Sequence, residues 1–248
     1  MTDFVNDVFI EREKKSKEFY LANKPRINEI KAKINRNIFH LLKLTTENQI
    51  GDNIEHSFDG LQLIDRATKL NITCIELIED IKFVEAGIIS RSVIELCTTA
   101  IAVCKVKNQF EKFIKNKKFD SPKTVSLAKK YIPEIGRVWG DLSNYIIHIN
   151  SEMHGAKRHF DKDGNHTMTH FHLSAIEINI PENLTDALFD HIELITYLIL
   201  YTIEIIFYRK GTYHGIECFA SHDKKYLIVG DSGHKSFKRL YEKIYNSH

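Results

Sequence analysis

One segment limits the possible folds more than any other: residues 184–209 are almost continuously apolar. The run without charge, Leu194–Ile203, is too short to cross a bilayer, and Glu193 and Glu204 flank it. A carboxylate in the middle of a lipid-embedded helix is costly. The segment is therefore predicted to be a buried core helix, and no membrane partner is expected.

The rest of the chain also favours helices. Glycine and proline, which are frequent in folds rich in turns, number only 11 and 4 in 248 residues. Apolar residues recur at helical spacing over Leu61–Lys82, Glu85–Lys107 and Arg26–Leu44, the last separated by Pro25 from an earlier helical stretch. The sequence therefore predicts a mostly α, multi-helix bundle.

Strands are expected at only two places. Alternating apolar and polar residues predict a short strand-like segment near 171–180, and 216–219 with 226–229 predict a small hairpin. The predicted organisation is a helical bundle domain over 1–210 and a small C-terminal appendage, hairpin plus helix, over 211–248.

Two pairs of polar residues lie on otherwise apolar helices. Arg91 and Glu95 are one turn apart on one face of the third helix. Tyr145 and His148 share a face of a later helix. Because buried charges need partners, these four candidate catalytic residues are predicted to form a polar seam between the two helices. The seam is either a structural network or the lining of a catalytic or ligand pocket.

Six histidines fall within one short stretch: His148, His154, His159, His166, His170 and His172. His170 and His172 are two apart in the strand-like segment and would point to one side. With His166 they are candidate zinc ligands. The preferred interpretation is a polar surface, so no metal or other cofactor is expected.

Lysines dominate the stretch Lys105–Lys130, which contains nine of them and only two acidic residues, Glu111 and Asp120. Interleaved phenylalanines make it a candidate surface for RNA or an acidic protein. The alternative is a solvated helix pair whose aromatic rings point inward, which the lack of arginine favours.

The breadth of the apolar surface predicts self-association. The 184–209 helix is apolar over more than a single core-facing stripe, and Arg26–Leu44 carries a second stripe. A homodimer would cover both; the alternative is a monomer in which the two helices cover one another. The start of the chain has no basic-then-apolar signal pattern, so a cytoplasmic location is expected.

Two motifs carry a family resemblance. Arg-Ser-x-x-Glu at Arg91–Glu95, followed by Leu-Ser-x-Tyr-x-x-His at Leu142–His148, resembles uncharacterised bacterial helical proteins grouped with HEPN-like and abortive-infection families. The resemblance implies a helical fold, a dimer and a role in bacterial stress or phage defence. HEPN ribonucleases cleave RNA with an arginine, a polar residue and a nearby histidine, assembled across the dimer without metal.

This chain departs from the HEPN spacing. Three residues separate Arg36 from His40, and seven separate Arg158 from His166. Arg91 has no histidine nearby. The expected function is therefore a helical interaction or regulatory protein. The alternatives are a ribonuclease with noncanonical arginine and histidine positions, or a metal-dependent hydrolase built on the histidine cluster.

Overall fold

The computed structural model describes residues 2–46, 56–116, 120–143, 158–160, 166–168, 182–213, 216–221, 226–228 and 232–246. Within these ranges the chain is a helical bundle, as predicted. Its helices are α1 (Thr2–Thr46), α2 (Ser57–Glu79), α3 (Phe83–Lys105), α4 (Gln109–Asn116), α5 (Ser121–Ala128), α6 (Ile135–Leu142), α7 (Glu182–Phe207) and α8 (Gly233–Tyr245).

The strands are short and antiparallel. They are β1 (Arg158–Phe160), β2 (His166–Met168), β3 (Tyr208–Tyr213), β4 (Ile216–Ser221) and β5 (Tyr226–Ile228). β1 pairs with β2, and β3, β4 and β5 form one sheet in that order. The predicted hairpin corresponds to β4 and β5, whereas β3 follows α7 directly and was not expected. The segment predicted near 171–180 lies outside the described residues, and the domain division at 210 stays a prediction.

The predicted interruption at Pro25 is wrong, because α1 continues through it. A proline inside a helix removes one hydrogen bond and is costly. Packing on both sides of the proline offsets this cost. On one side the Phe19 ring lies 5.5 Å from Phe83, and on the other Ile27 is fully buried. The Pro25 ring itself faces solvent.

Helix α7 lies at the centre of the bundle. Its residues Leu194, Ile195 and Leu198 are fully buried, and it packs against α1, α2, α3 and α8. Both carboxylates that flank its uncharged run have partners. Glu193 pairs with Lys33 at 2.7 Å, and Glu204 accepts hydrogen bonds from the first backbone amides of α8.

The apolar stripe of α1 covers part of α7. Ile27, Ile30 and Ile34 pack in one cluster with Phe189 and Ile192. The two faces that suggested a dimer therefore cover one another within one chain, as in the monomer alternative. The homodimer stays a prediction, and it now depends on other surfaces.

Buried amides fix the alignment of three helices. The Asn37 side chain of α1 donates to the Thr196 carbonyl oxygen at 2.9 Å, and Asn71 of α2 donates to the Thr196 hydroxyl at 2.8 Å. All three residues are almost fully buried. A shift of α1 or α2 along α7 would leave these polar groups unpaired, which is costly in a core.

One helix of the described part, α3, is long and apolar enough to cross a membrane by length and composition. Of its most apolar stretch, 56% is buried inside the bundle. Core helices of soluble proteins meet the same criterion, so this is weak support for a membrane span.

Candidate functional site

The predicted seam residues Arg91 and Glu95 meet the helix α6 through Trp139. Arg91 Nε donates to Glu95 Oε1 at 3.0 Å, and Trp139 Nε1 donates to the same oxygen at 3.1 Å. The Arg91 guanidinium carbon lies 5.0 Å from the centre of the Trp139 ring. Glu95 is thus the shared acceptor of a three-residue contact between α3 and α6.

This contact is half-buried. The side chains of Arg91 and Glu95 keep 25% and 26% of their exposure, so water reaches both. A cation stacked on an indole and tied to a carboxylate is a rigid arrangement in which each group holds the others. It can lock α6 onto α3.

The other half of the predicted seam, Tyr145 and His148, lies outside the described residues. Asp141 of α6 lies close to Tyr245 of α8. Burial, followed by the charge of Asp141, raises the pKa of the Tyr245 hydroxyl. The catalytic role assigned to the four seam residues therefore stays a prediction.

The candidate zinc ligands also stay a prediction. The backbone of His166 lies in β2, and His170 and His172 fall outside the described residues. Within the part of the chain that the structure describes, no group of three or more His, Cys, Asp or Glu side chains is placed to hold a metal ion.

Burial makes the described thiols poor nucleophiles. It raises the pKa of Cys74 to about 11 and the pKa of both Cys97 and Cys104 to about 12. Since the thiolate is the reactive form, these cysteines behave as small apolar side chains.

Sequence reasoning missed a charged cluster that joins α1, α7 and α8. Arg26 binds Asp186 and also Asp190, the latter at 2.5 Å, and Lys243 pairs with Asp190 at 2.7 Å. Beside it, His191 Nε2 is buried and makes no hydrogen bond, and burial lowers the His191 pKa to about 4. These residues are too far apart in sequence for any local motif to reveal them.

The noncanonical HEPN-like pair on α1 is mostly hidden. Arg36 and His40 are one turn apart, but His40 is only 5% exposed. Burial, followed by the nearby charges of Arg36 and Lys43, lowers the His40 pKa to about 4. The imidazole is therefore neutral at pH 7 and poorly accessible to a large substrate.

Of the seven lysines in 105–130 that the structure describes, six are exposed and Lys105 is half-buried. We define the basic face as the cationic side chains of two segments, 105–137 and 233–245, that are exposed or half-exposed. Its members used below are Lys107, Lys112, Lys123, Lys129, Lys130, Lys235, Lys238 and Arg239. The aromatic side chain of Phe110 is half-buried and stacks on His56.

The two segments of the basic face meet near residues 134–137. The Tyr131 hydroxyl donates to the Lys105 carbonyl oxygen at 3.0 Å, which places the end of α3 beside the turn after α5. Lys238 of α8 lies 3.8 Å from Glu134, and the Arg137 guanidinium lies 4.7 Å from the centre of the Tyr245 ring. The 131–137 region therefore lies along α8.

Charge is strongly segregated onto these segments. Residues 105–137 hold ten basic and three acidic residues, and residues 233–245 hold four basic and one acidic residue. Together they carry a net charge of +10 in a chain whose net charge is +2, so the remaining residues carry −8. Such an arrangement attracts polyanions to one part of the surface, although the whole molecule is nearly neutral.

No family model, no curated protein and no solved structure matches the chain.

Proposed function

We propose that this chain is a helical interaction protein that binds a negatively charged macromolecule through its basic face. The observation that carries the proposal is the charge segregation, which places a net +10 on two segments that meet where residues 134–137 contact α8. This separation of charge does not raise the solubility of a nearly neutral chain. It would raise both the affinity of the chain for a polyanion and the rate at which the two meet.

The polar seam supports an interaction protein over an enzyme. Arg91, Glu95 and Trp139 satisfy one another, as residues of a structural network do. Locking α6 onto α3 also supports the turn between α5 and α6, where Lys129 and Lys130 lie. The seam would then help the basic face by fixing the position of the helices that carry its lysines.

Elution from immobilised heparin, a generic polyanion, tests the proposal. The triple variant Lys107→Gln, Lys123→Gln, Lys130→Gln removes three exposed charges from the basic face. A matched triple variant, Lys14→Gln, Lys17→Gln, Lys24→Gln, removes three exposed charges from α1. We expect the first variant to elute at clearly lower salt than the wild-type protein, and the second to elute close to it.

Equal losses in the two variants would contradict the proposal, because net charge alone would then govern binding. Melting temperatures of both variants should match the wild-type value, since surface substitutions change stability by only about 0.5 kcal/mol.

A gel of labelled RNA incubated with the protein addresses the ribonuclease alternative. We expect the RNA to stay intact. Fragments that the wild-type protein produces and the His40→Gln variant does not produce would favour the ribonuclease.

The setting we propose, bacterial stress or phage defence, follows from the family resemblance alone. Plaque counts on cells that express the wild-type chain or the basic-face variant test it. Protection that depends on the basic face would support this setting, and equal plaque counts with and without the chain would remove it.

A further inference from the structure

We propose that the partner of the basic face is a nucleic acid, held by its phosphodiester backbone. This inference rests on the proposed function, because it names the class of polyanion that the face binds. Three features of the described residues support this inference: apolar anchors are scarce on the basic face, five of its lysines form no ion pair, and lysine predominates among its cations.

Apolar anchors are scarce on the basic face. Protein interfaces have aromatic and aliphatic residues at their centre and are depleted in lysine. In the described parts of 105–137 and 233–245, Ile114 is the single large apolar side chain that is strongly exposed. By contrast α1 exposes five: Phe9, Ile10, Leu21, Phe39 and Leu42. A protein partner would find its anchors on α1, whereas the basic face offers charge.

Five lysines of the basic face are available to a ligand. Lys107, Lys112 and Lys123 are exposed, as are Lys129 and Lys130, and none of the five forms an ion pair within the described residues. On α1, by contrast, Arg26 and Lys33 are held by carboxylates of α7. Unpaired exposed cations can each neutralise a phosphate, and the release of counterions then drives binding.

The predominance of lysine points to backbone contacts without base recognition. Arginine reads guanine through a rigid two-pronged fork, whereas lysine acts as a mobile point charge. Residues 105–130 contain nine lysines and no arginine. Binding should therefore be nearly independent of base sequence and strongly dependent on salt.

Fluorescence anisotropy across a series of KCl concentrations tests this inference. The probes are labelled polyuridylate, labelled polycytidylate and a mixed-sequence DNA duplex, which separate single strands from duplex. We expect the two single strands to bind equally and the dissociation constant to rise steeply with salt. The basic-face triple variant should lower the slope of log affinity against log salt by about 2–3, since each phosphate contact contributes about 0.7–0.9. The α1 triple variant should keep the wild-type slope.

Competition experiments identify the partner class. Unlabelled polyglutamate, or vesicles of equimolar phosphatidylserine and phosphatidylcholine, should displace the nucleic acid only weakly. If the chain binds heparin through the basic face but binds polyglutamate or the vesicles in place of nucleic acid, this inference fails and the proposed function stands. If the basic-face variant binds heparin and nucleic acid as the wild-type chain does, both fail. A large difference between polyuridylate and polycytidylate would overturn the backbone-only reading.

Discussion

Truncating Glu95 tests whether the three-residue contact holds α6 onto α3. Glu95→Ala removes the acceptor for both Arg91 Nε and Trp139 Nε1, at 3.0 and 3.1 Å. Breaking a fully buried ion pair costs about 3–5 kcal/mol. Because Glu95 keeps 26% of its exposure, water can replace part of the lost contact, and we expect a loss of about 2 kcal/mol in the free energy of unfolding.

A double-mutant cycle with Trp139→Phe isolates the bond between the two helices. Trp139→Phe keeps an aromatic ring but removes the N–H donor, so the coupling between the two changes should be about 1 kcal/mol. Urea unfolding of the wild-type protein, both single variants and the double variant measures it. Glu85→Ala, at an exposed position on the same helix, is the control and should change stability by no more than about 0.5 kcal/mol. A coupling energy of zero within error would refute the reasoning.

Four further outcomes are expected. Burial lowers the pKa of His40 and of His191 from the usual 6.5 to about 4, so the unfolded chain binds more protons between these values. The free energy of unfolding should therefore fall as the pH drops from 6.5 towards 4, by about 1–3 kcal/mol per histidine, and His191→Gln should flatten a urea-unfolding series against pH. Gly233→Ala should destabilise by about 2–3 kcal/mol in thermal unfolding, since its new carbon would lie 2.8 Å from the Leu200 carbonyl carbon, whereas Gly140→Ala meets nothing within 4 Å and should be neutral or stabilising. Light scattering at micromolar concentration should show twice the chain mass of 28.9 kDa if the predicted homodimer forms, and a single chain mass would contradict it. Added zinc should leave the melting temperature unchanged, and a rise abolished by His170→Ala would instead establish the histidine site.

Much of the secondary structure was predictable from local patterns. The apolar period of α1, α2, α3 and α7 follows from side chains one turn apart sharing a face, which depends only on helix geometry. The pairing of Arg91 with Glu95 is predictable for the same reason, because their spacing of four residues brings them together in any helix. The path of α1 through Pro25 was not, since the energy that offsets the proline comes from packing against other helices.

By itself, the sequence determined that the chain is helical, which faces of its helices are apolar and that lysines concentrate in 105–130. Only the tertiary structure decided which distant groups meet. Trp139 hydrogen-bonds to Glu95, 44 residues away in the sequence, and Arg26 binds Asp190, 164 residues away. Glu204 accepts a hydrogen bond from the first backbone amide of α8. It also placed Glu134 and Arg137 against α8, so that the two basic segments meet there. Spacing along a helix fixes neighbours within one turn or two, whereas contacts between helices depend on how whole apolar faces pack, and no local pattern encodes that packing.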